Sequence, residues 1–173
     1  MRYENIYKKL ADFGRDLLSD TSYEKGLPRI AKYAKEVIGA HRCSIFINDL
    51  EKGELWTTLA DDIERIKIPS DKGLVGHTIK EKKPLIENDP YTNPHFLPDI
   101  DKESGYVTKN IVTAPIFNSK REIIGVLQLL NKPEGFDKED IKFMIFFAHY
   151  VSGYLELIDL CLMEDSNNTE NQD

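Results

Sequence analysis

Cysteine is nearly absent. The 173 residues contain two, Cys43 and Cys161, far apart in the chain. That excludes a disulfide scaffold and points to reduced thiols, hence to a cytoplasmic setting. Positive charge is also in deficit: 23 Lys and Arg stand against 30 Asp and Glu, a net charge of −7. An acidic chain repels phosphate backbones, so nucleic acid is not an expected partner. A small anionic ligand stays open, because a local nest of amides can hold one. No apolar core follows the opening MRYENIYKKL, so a secretory signal is not expected. The most apolar stretch, Phe143 to Val151, is interrupted by His149 and falls short of the ~20 residues of a membrane span. No membrane partner is expected. There is no P-loop, dinucleotide fingerprint or Ser-His-Asp arrangement. The four histidines (His41, His77, His95, His149) are scattered, and only His41 and Cys43 could share a strand face. A metal centre needs three or four ligands. Neither a metal site nor an enzyme is expected.

What is present is the size and composition of one globular domain: 40% hydrophobic and 31% charged residues. Ile6, Leu10, Phe13 and Leu17 recur at helical spacing. Ser19 to Ser22 break that helix and cap a second, from about Tyr23 to Ile38, with Pro28 near its first turn and Gly39 as its stop. The period then drops to two. Cys43, Ile45 and Ile47 alternate with Ser44, Phe46 and Asn48, and residues 54–60 read as the returning strand. Ile63, Ile66 and Ile68 mark a further short strand. A helix opens at Gly73 and stops before Pro84, and residues 85–108 are loop-rich. The aromatic and apolar residues in that long loop argue for a folded lid. Asn110–Phe117 and Ile123–Leu130 form a hairpin, and Asp137 to Leu162 form one long helix. The order predicts an α+β sandwich: a central antiparallel sheet with helices on its faces and at both ends. Residues 1–163 form one domain. Residues 164–173 (EDSNNTENQD, from 164) lack an apolar anchor and are expected as a disordered polar tail.

Four stretches carry a resemblance. They are RCSIFIND at 42–49, IKIPSDKGLVGHTIKEKKPL at 66–85, DKESGYVTKNIVTAPIFNSKREIIGVLQLLNK at 101–132, and the Phe-x-x-x-Asp at 136–140. In this order they resemble the GAF domain, a profilin-like fold, in the version found in cyclic-nucleotide phosphodiesterases and bacterial adenylyl cyclases. The signature of that subgroup matches at Asn131, Lys132, Phe136 and Asp140, with Ile141 in place of its final Glu. The resemblance implies a Lys132–Asp140 pair holding the long helix to the sheet.

A site is expected between the sheet and residues 73–108. The Gly73–Gly76 turn opens a helix whose first amides, including those of Leu74 and Val75, suit an anionic phosphate. An ordinary helix start explains the same residues. Asp101, Ser104 and Thr108 would share a helix face. The resemblance assigns those positions polar ligand contacts, while capping and turn formation is the alternative for Asp101 and Ser104. By the same resemblance Ser44, Gln128 and Asp61 line the pocket. Ala60 stands where some phosphodiesterase members stack an aromatic on the base. Catalytic relatives that reduce methionine sulfoxide need cysteines in the pocket loops, and Cys43 and Cys161 lie elsewhere.

The last helix is apolar on two stripes, one through Ile141, Met144, Ile145, Ala148, Val151, Leu155, Ile158 and Leu162, the other through Phe143, Phe147, Tyr150, Tyr154 and Leu157. Two stripes imply a second partner beside the sheet. That partner is a homodimer mate, or else the first helix of the same chain. The expected function is a sensory, ligand-binding domain, with cAMP or cGMP as candidate ligands, no tightly held cofactor, and signalling through a dimer to an effector. The competing expectation is a ligand-free dimerisation or protein-interaction module.

Overall fold

The computed structural model describes residue 8 and residues 11–15, 23–60 and 66–170. Residues 11–15 are helical. The expected first helix otherwise lies outside the described residues, as do Asp61 and Ile63.

Helix α1 (Tyr23–Ile38) buries Leu27, Ile30, Ala31, Ala34 and Ile38, the spacing of one helical face. Pro28 sits in its second turn rather than its first, so the helix forgoes one internal hydrogen bond there. Strands β1 (Arg42–Asp49) and β2 (Glu54–Ala60) follow as an antiparallel pair, and β3 (Lys67–Pro69) pairs with the start of β2. Helix α2 spans Gly73–Glu81.

The 85–108 segment is more ordered than a loop. It contains strand β4 (Leu85–Glu87), a 3-10 turn (Pro90–Thr92) and helix α3 (Pro98–Ser104). Strands β5 (Ile111–Phe117) and β6 (Ile123–Leu130) form the expected hairpin, and helix α4 runs Lys138–Glu170. The helix therefore continues through residues 164–170, which the sequence placed in a disordered tail. A helix already nucleated by packed turns extends at the cost of one ordered residue per hydrogen bond.

The sheet has six strands in the order β3-β2-β1-β6-β5-β4, and every pairing is antiparallel. Pro115 is tolerated within β5 because β4 stops pairing at Thr113.

Strand alternation gives the sheet two faces. Cys43, Ile45, Val112, Ala114, Leu127 and Leu129 point to α1 and α4 and form the main core with Phe13, Met144, Phe147, Val151, Tyr154 and Ile158. Phe46, Leu55, Ile68, Val75 and Val126 form a smaller cluster on the other face.

Both expected stripes of α4 contribute to the main core. Phe147 and Tyr154, placed on the second stripe, are buried, and Phe13 packs on Tyr33 and Tyr150 with ring centroids 4.5 and 5.8 Å apart. Ile145, placed on the first stripe, is exposed instead, beside Phe146 and with Leu160 farther along. The stretch Lys138–Ile158 has the length and hydropathy of a membrane span, contrary to the sequence reading. Packing accounts for part of its apolarity: its buried residues contact the sheet and α1, while Ile145 and Phe146 stay exposed.

Candidate functional site

On the face away from α1 and α4, the sheet, α2 and the 96–108 segment enclose a cavity of about 70 Å³. Ser44, Leu74, Val75, Asp101, Ser104, Thr108 and Gln128 all line it, joined by Arg42, Phe46, Phe96, Leu97 and Tyr106. Of the residues expected there, Asp61 alone lies outside the described residues.

The floor comes from strand register. Ser44 on β1 sits opposite Gln128 on β6, which sits opposite Thr113 on β5. Thr78 of α2 donates its one hydroxyl proton to the Leu74 carbonyl at 2.8 Å, so Thr113 donates to Thr78 across 2.6 Å. This chain of hydroxyls seats α2 on the sheet.

Two glycines let α2 begin where it does. Gly73 has φ +72°, a left-handed conformation costly for other residues. At Gly76 an added Cβ would come within 2.6 Å of the Asp71 backbone, so the helix lies against the preceding turn. Its first internal bond runs from Gly76 N–H to Lys72 O, and Lys72 offers no side-chain cap. The amides of Gly73, Leu74 and Val75 thus precede the first helical hydrogen bond, at the positive end of the helix dipole.

The opposite wall is fastened by Asp101, which is 7% exposed. One carboxylate oxygen accepts from Thr108 Oγ1 at 2.7 Å. The other accepts from the Thr108 amide and from the Tyr91 hydroxyl, both at 2.7 Å. Donating to a carboxylate holds the Tyr91 phenol above its ordinary pKa, because losing the proton would set two anions together. Ser104 donates to Ile100 O at 2.8 Å and accepts from the Tyr106 amide at 3.3 Å.

Asp101, Ser104 and Thr108 therefore spend their polar atoms on one another and on local backbone. They line the cavity and hold the lid shut. The lid is further pinned by Asn93, which donates to Glu87 at 2.7 Å, and by His95 stacked on His77 of α2, centroids 4.0 Å apart.

Sequence reasoning missed Arg42 and Tyr106. The Arg42 guanidinium carbon lies 3.6 Å from the Tyr106 ring centroid, and the Tyr106 hydroxyl is 3.0 Å from His41 Nδ1. Arg42 shares the strand face of Ser44, two residues on, which alternation alone could have revealed.

The signature residues act away from the cavity. Lys132 Nζ donates to both oxygens of Asp140, at 2.8 and 2.7 Å, with the two side chains 17% and 7% exposed. Asp140 also accepts from the Asp137 amide, and Asp137 Oδ1 returns the favour to the Asp140 amide, which caps α4 reciprocally. The amides of Asp140 and Glu139 hold the Asp137 carboxyl below its ordinary range. Asn131, at φ +58°, accepts from the Lys109 amide and donates to Val107 O. Phe136 is buried in the main core.

Cys43 also packs in the main core, on the sheet face opposite the cavity. Among the described residues, no three His, Cys, Asp or Glu side chains converge as metal ligands.

An antiparallel six-stranded sheet carrying helices on one face and a lidded cavity on the other has its counterpart among known families. The GAF domain family matches residues 22–155, and the chain belongs to it. GAF domains are small-molecule-binding regulatory domains.

A probable 3',5'-cyclic phosphodiesterase pde-5 of Caenorhabditis elegans is 27% identical over 170 residues. The match takes in 86% of this chain and 23% of that protein, so the chain spans about a quarter of its length.

Among solved structures, the GAF domain of a phosphoenolpyruvate-protein phosphotransferase from Coxiella burnetii superposes with a TM-score of 0.80 at 18% identity, covering 91% of this chain and 96% of that one. A free methionine-R-sulfoxide reductase from Neisseria meningitidis, solved with its substrate, superposes at 0.74 and 18% identity, covering 88% and 89%. At these identities the two structures show the shared fold.

Proposed function

We propose that this GAF domain is a non-catalytic sensor that receives a small ligand between the sheet and the lid, with cAMP and cGMP as the first candidates. One observation carries the reading. Residues from β1, α2, α3, the loop after it and β6, far apart in sequence, meet around a single cavity. The similarity to a phosphodiesterase supports the choice of cyclic nucleotides.

The cavity, at about 70 Å³, is smaller than the roughly 300–1,000 Å³ of most ligand sites. Binding therefore requires the lid carrying Phe96, Leu97 and Tyr106 to move. Lid movement would bias the sheet and then α4, which with a second copy forms the output bundle.

A melting experiment tests the ligand. At a hundredfold excess over Kd, binding adds about 2.7 kcal/mol. For a chain of this length that raises Tm by about 5–10 °C. No shift with cAMP, cGMP or other purine nucleotides removes the nucleotide reading.

A second reading, a ligand-free dimerisation module, draws on the same narrow cavity and on the exposed Ile145, Phe146 and Leu160 of α4. Light scattering separates the dimer from a monomer in either case.

A further inference from the structure

The polar groups around the cavity divide into spent and unspent. Asp101, Thr108 and Ser104 are committed to the lid. Ser44 and Gln128 make no hydrogen bond through their side chains to any described residue, and Arg42 has no carboxylate within 4.0 Å among the described residues. These three stand together: Arg42 and Ser44 two apart on one face of β1, Gln128 directly across from Ser44.

Among the described residues lining the cavity, only Arg42 and Asp101 are charged. The Asp101 charge is already met by three donors, so the uncompensated charge among the described lining residues is positive, in a chain whose net charge is −7. Arg42 rests instead on the Tyr106 ring at 3.6 Å. A cation–π contact is weaker than the bidentate, charge-assisted pair a guanidinium makes with a carboxylate or phosphate. An oxyanion arriving in the cavity therefore outcompetes the ring.

We infer that Arg42 is the specificity-determining residue of this pocket, selecting a small ligand with an apolar planar body and one oxyanion, a carboxylate or a phosphate. The body lies against Phe46, Leu74 and Val75, and Ser44 and Gln128 read its polar edge. Arg42 leaves Tyr106 to take the anion, and with it goes one of the contacts that hold the Tyr106 side of the cavity closed. The inference rests on the pocket reading above, and not on the ligand's being a nucleotide.

Shape-matched probes test it: cGMP against guanosine, and benzoate against benzamide. Each is titrated into the wild-type chain, Arg42→Gln and Arg42→Lys, with the Arg42 Nε–H resonance followed by NMR. The expected result is that the bound anionic probe moves that resonance and loses about tenfold in affinity in Arg42→Gln. Its neutral partner should change by less than about twofold, and Arg42→Lys, which keeps charge but not the fork, should fall between. If benzoate behaves so and cGMP does not bind, the anion site stands and the nucleotide reading falls. If cGMP binds Arg42→Gln as tightly as the wild type, the nucleotide reading stands and Arg42 is not the selector. Anionic probes that never outbind their neutral partners overturn the inference outright. Melting of each unliganded variant shows that the fold is kept.

Discussion

Asp101→Ala removes the acceptor that closes the lid, and its cost follows from the geometry. Thr108 is 2% exposed, and both its amide and its hydroxyl donate to Asp101 at 2.7 Å. Without the carboxylate these two donors lose their partner where water does not reach. A buried polar group stripped of its partner costs about 1–3 kcal/mol, so the pair is worth roughly 3 kcal/mol. At about 2–4 °C per kcal/mol for a chain of this length, Tm should fall by about 6–12 °C. Asp101→Asn is the informative companion. It keeps an oxygen for the Thr108 amide and an NH₂ that can donate to the hydroxyl oxygen, so what is lost is the charge assistance and the acceptor for the hydroxyl proton, about 1–2 kcal/mol. Calorimetry gives the two melting temperatures, and hydrogen exchange at the Thr108 amide reports whether the lid opens locally. If Asp101→Ala melts within about 2 °C of wild type, with the Thr108 amide still protected, the lid is not held by this carboxylate.

Further expectations concern the frame around the site. Lys132→Met leaves the Asp140 carboxylate buried with its cation gone, and should cost about 3 kcal/mol in urea unfolding; an unchanged midpoint would mean the pair holds nothing. Gly76→Ala presses a methyl against the backbone of Ser70 and Asp71 and should destabilise by about 1–3 kcal/mol through displacement of α2, visible as a lowered Tm. Glu156 accepts the Ser119 amide and hydroxyl at 2.7 Å, which holds its carboxyl below the ordinary 4.5. Below 4.5 the unfolded chain takes up the proton first, so this contribution is present at neutral pH and lost as pH falls through the folded value. The stability gap between wild type and Glu156→Gln should accordingly close on acidification, and a gap constant from pH 7 to 3 would refute the linkage.

Much of this architecture is legible in residue patterns. Alternation at Cys43–Asn48 and across Ile123–Leu130 locates the strands because each has a core on one side and a different environment on the other. The Lys132–Asp140 pair follows from a signature whose spacing serves geometry. What stays hidden is of two kinds. Strand β4 has three residues and helix α3 seven, too short to display a period, so both pass for loop. The roles of Arg42 and Asp101 depend on partners 64 and 7 positions away, Tyr106 and Thr108, and no periodicity announces such meetings.

The side chains of Asn88 and Asn110 each pair with both the amide and the carbonyl of one residue, Phe136 and Lys132, at 2.8 to 3.1 Å. An asparagine amide presents the same donor and acceptor as a peptide unit, so these contacts imitate strand pairing. The link from β6 to α4 is basted to the sheet margin at both ends, like a seventh strand written in side chains. Such a joint has no slack to absorb motion. A tilt of β5 and β6 would carry the start of α4 with it, because the same two asparagines grip the connector that leads into the helix.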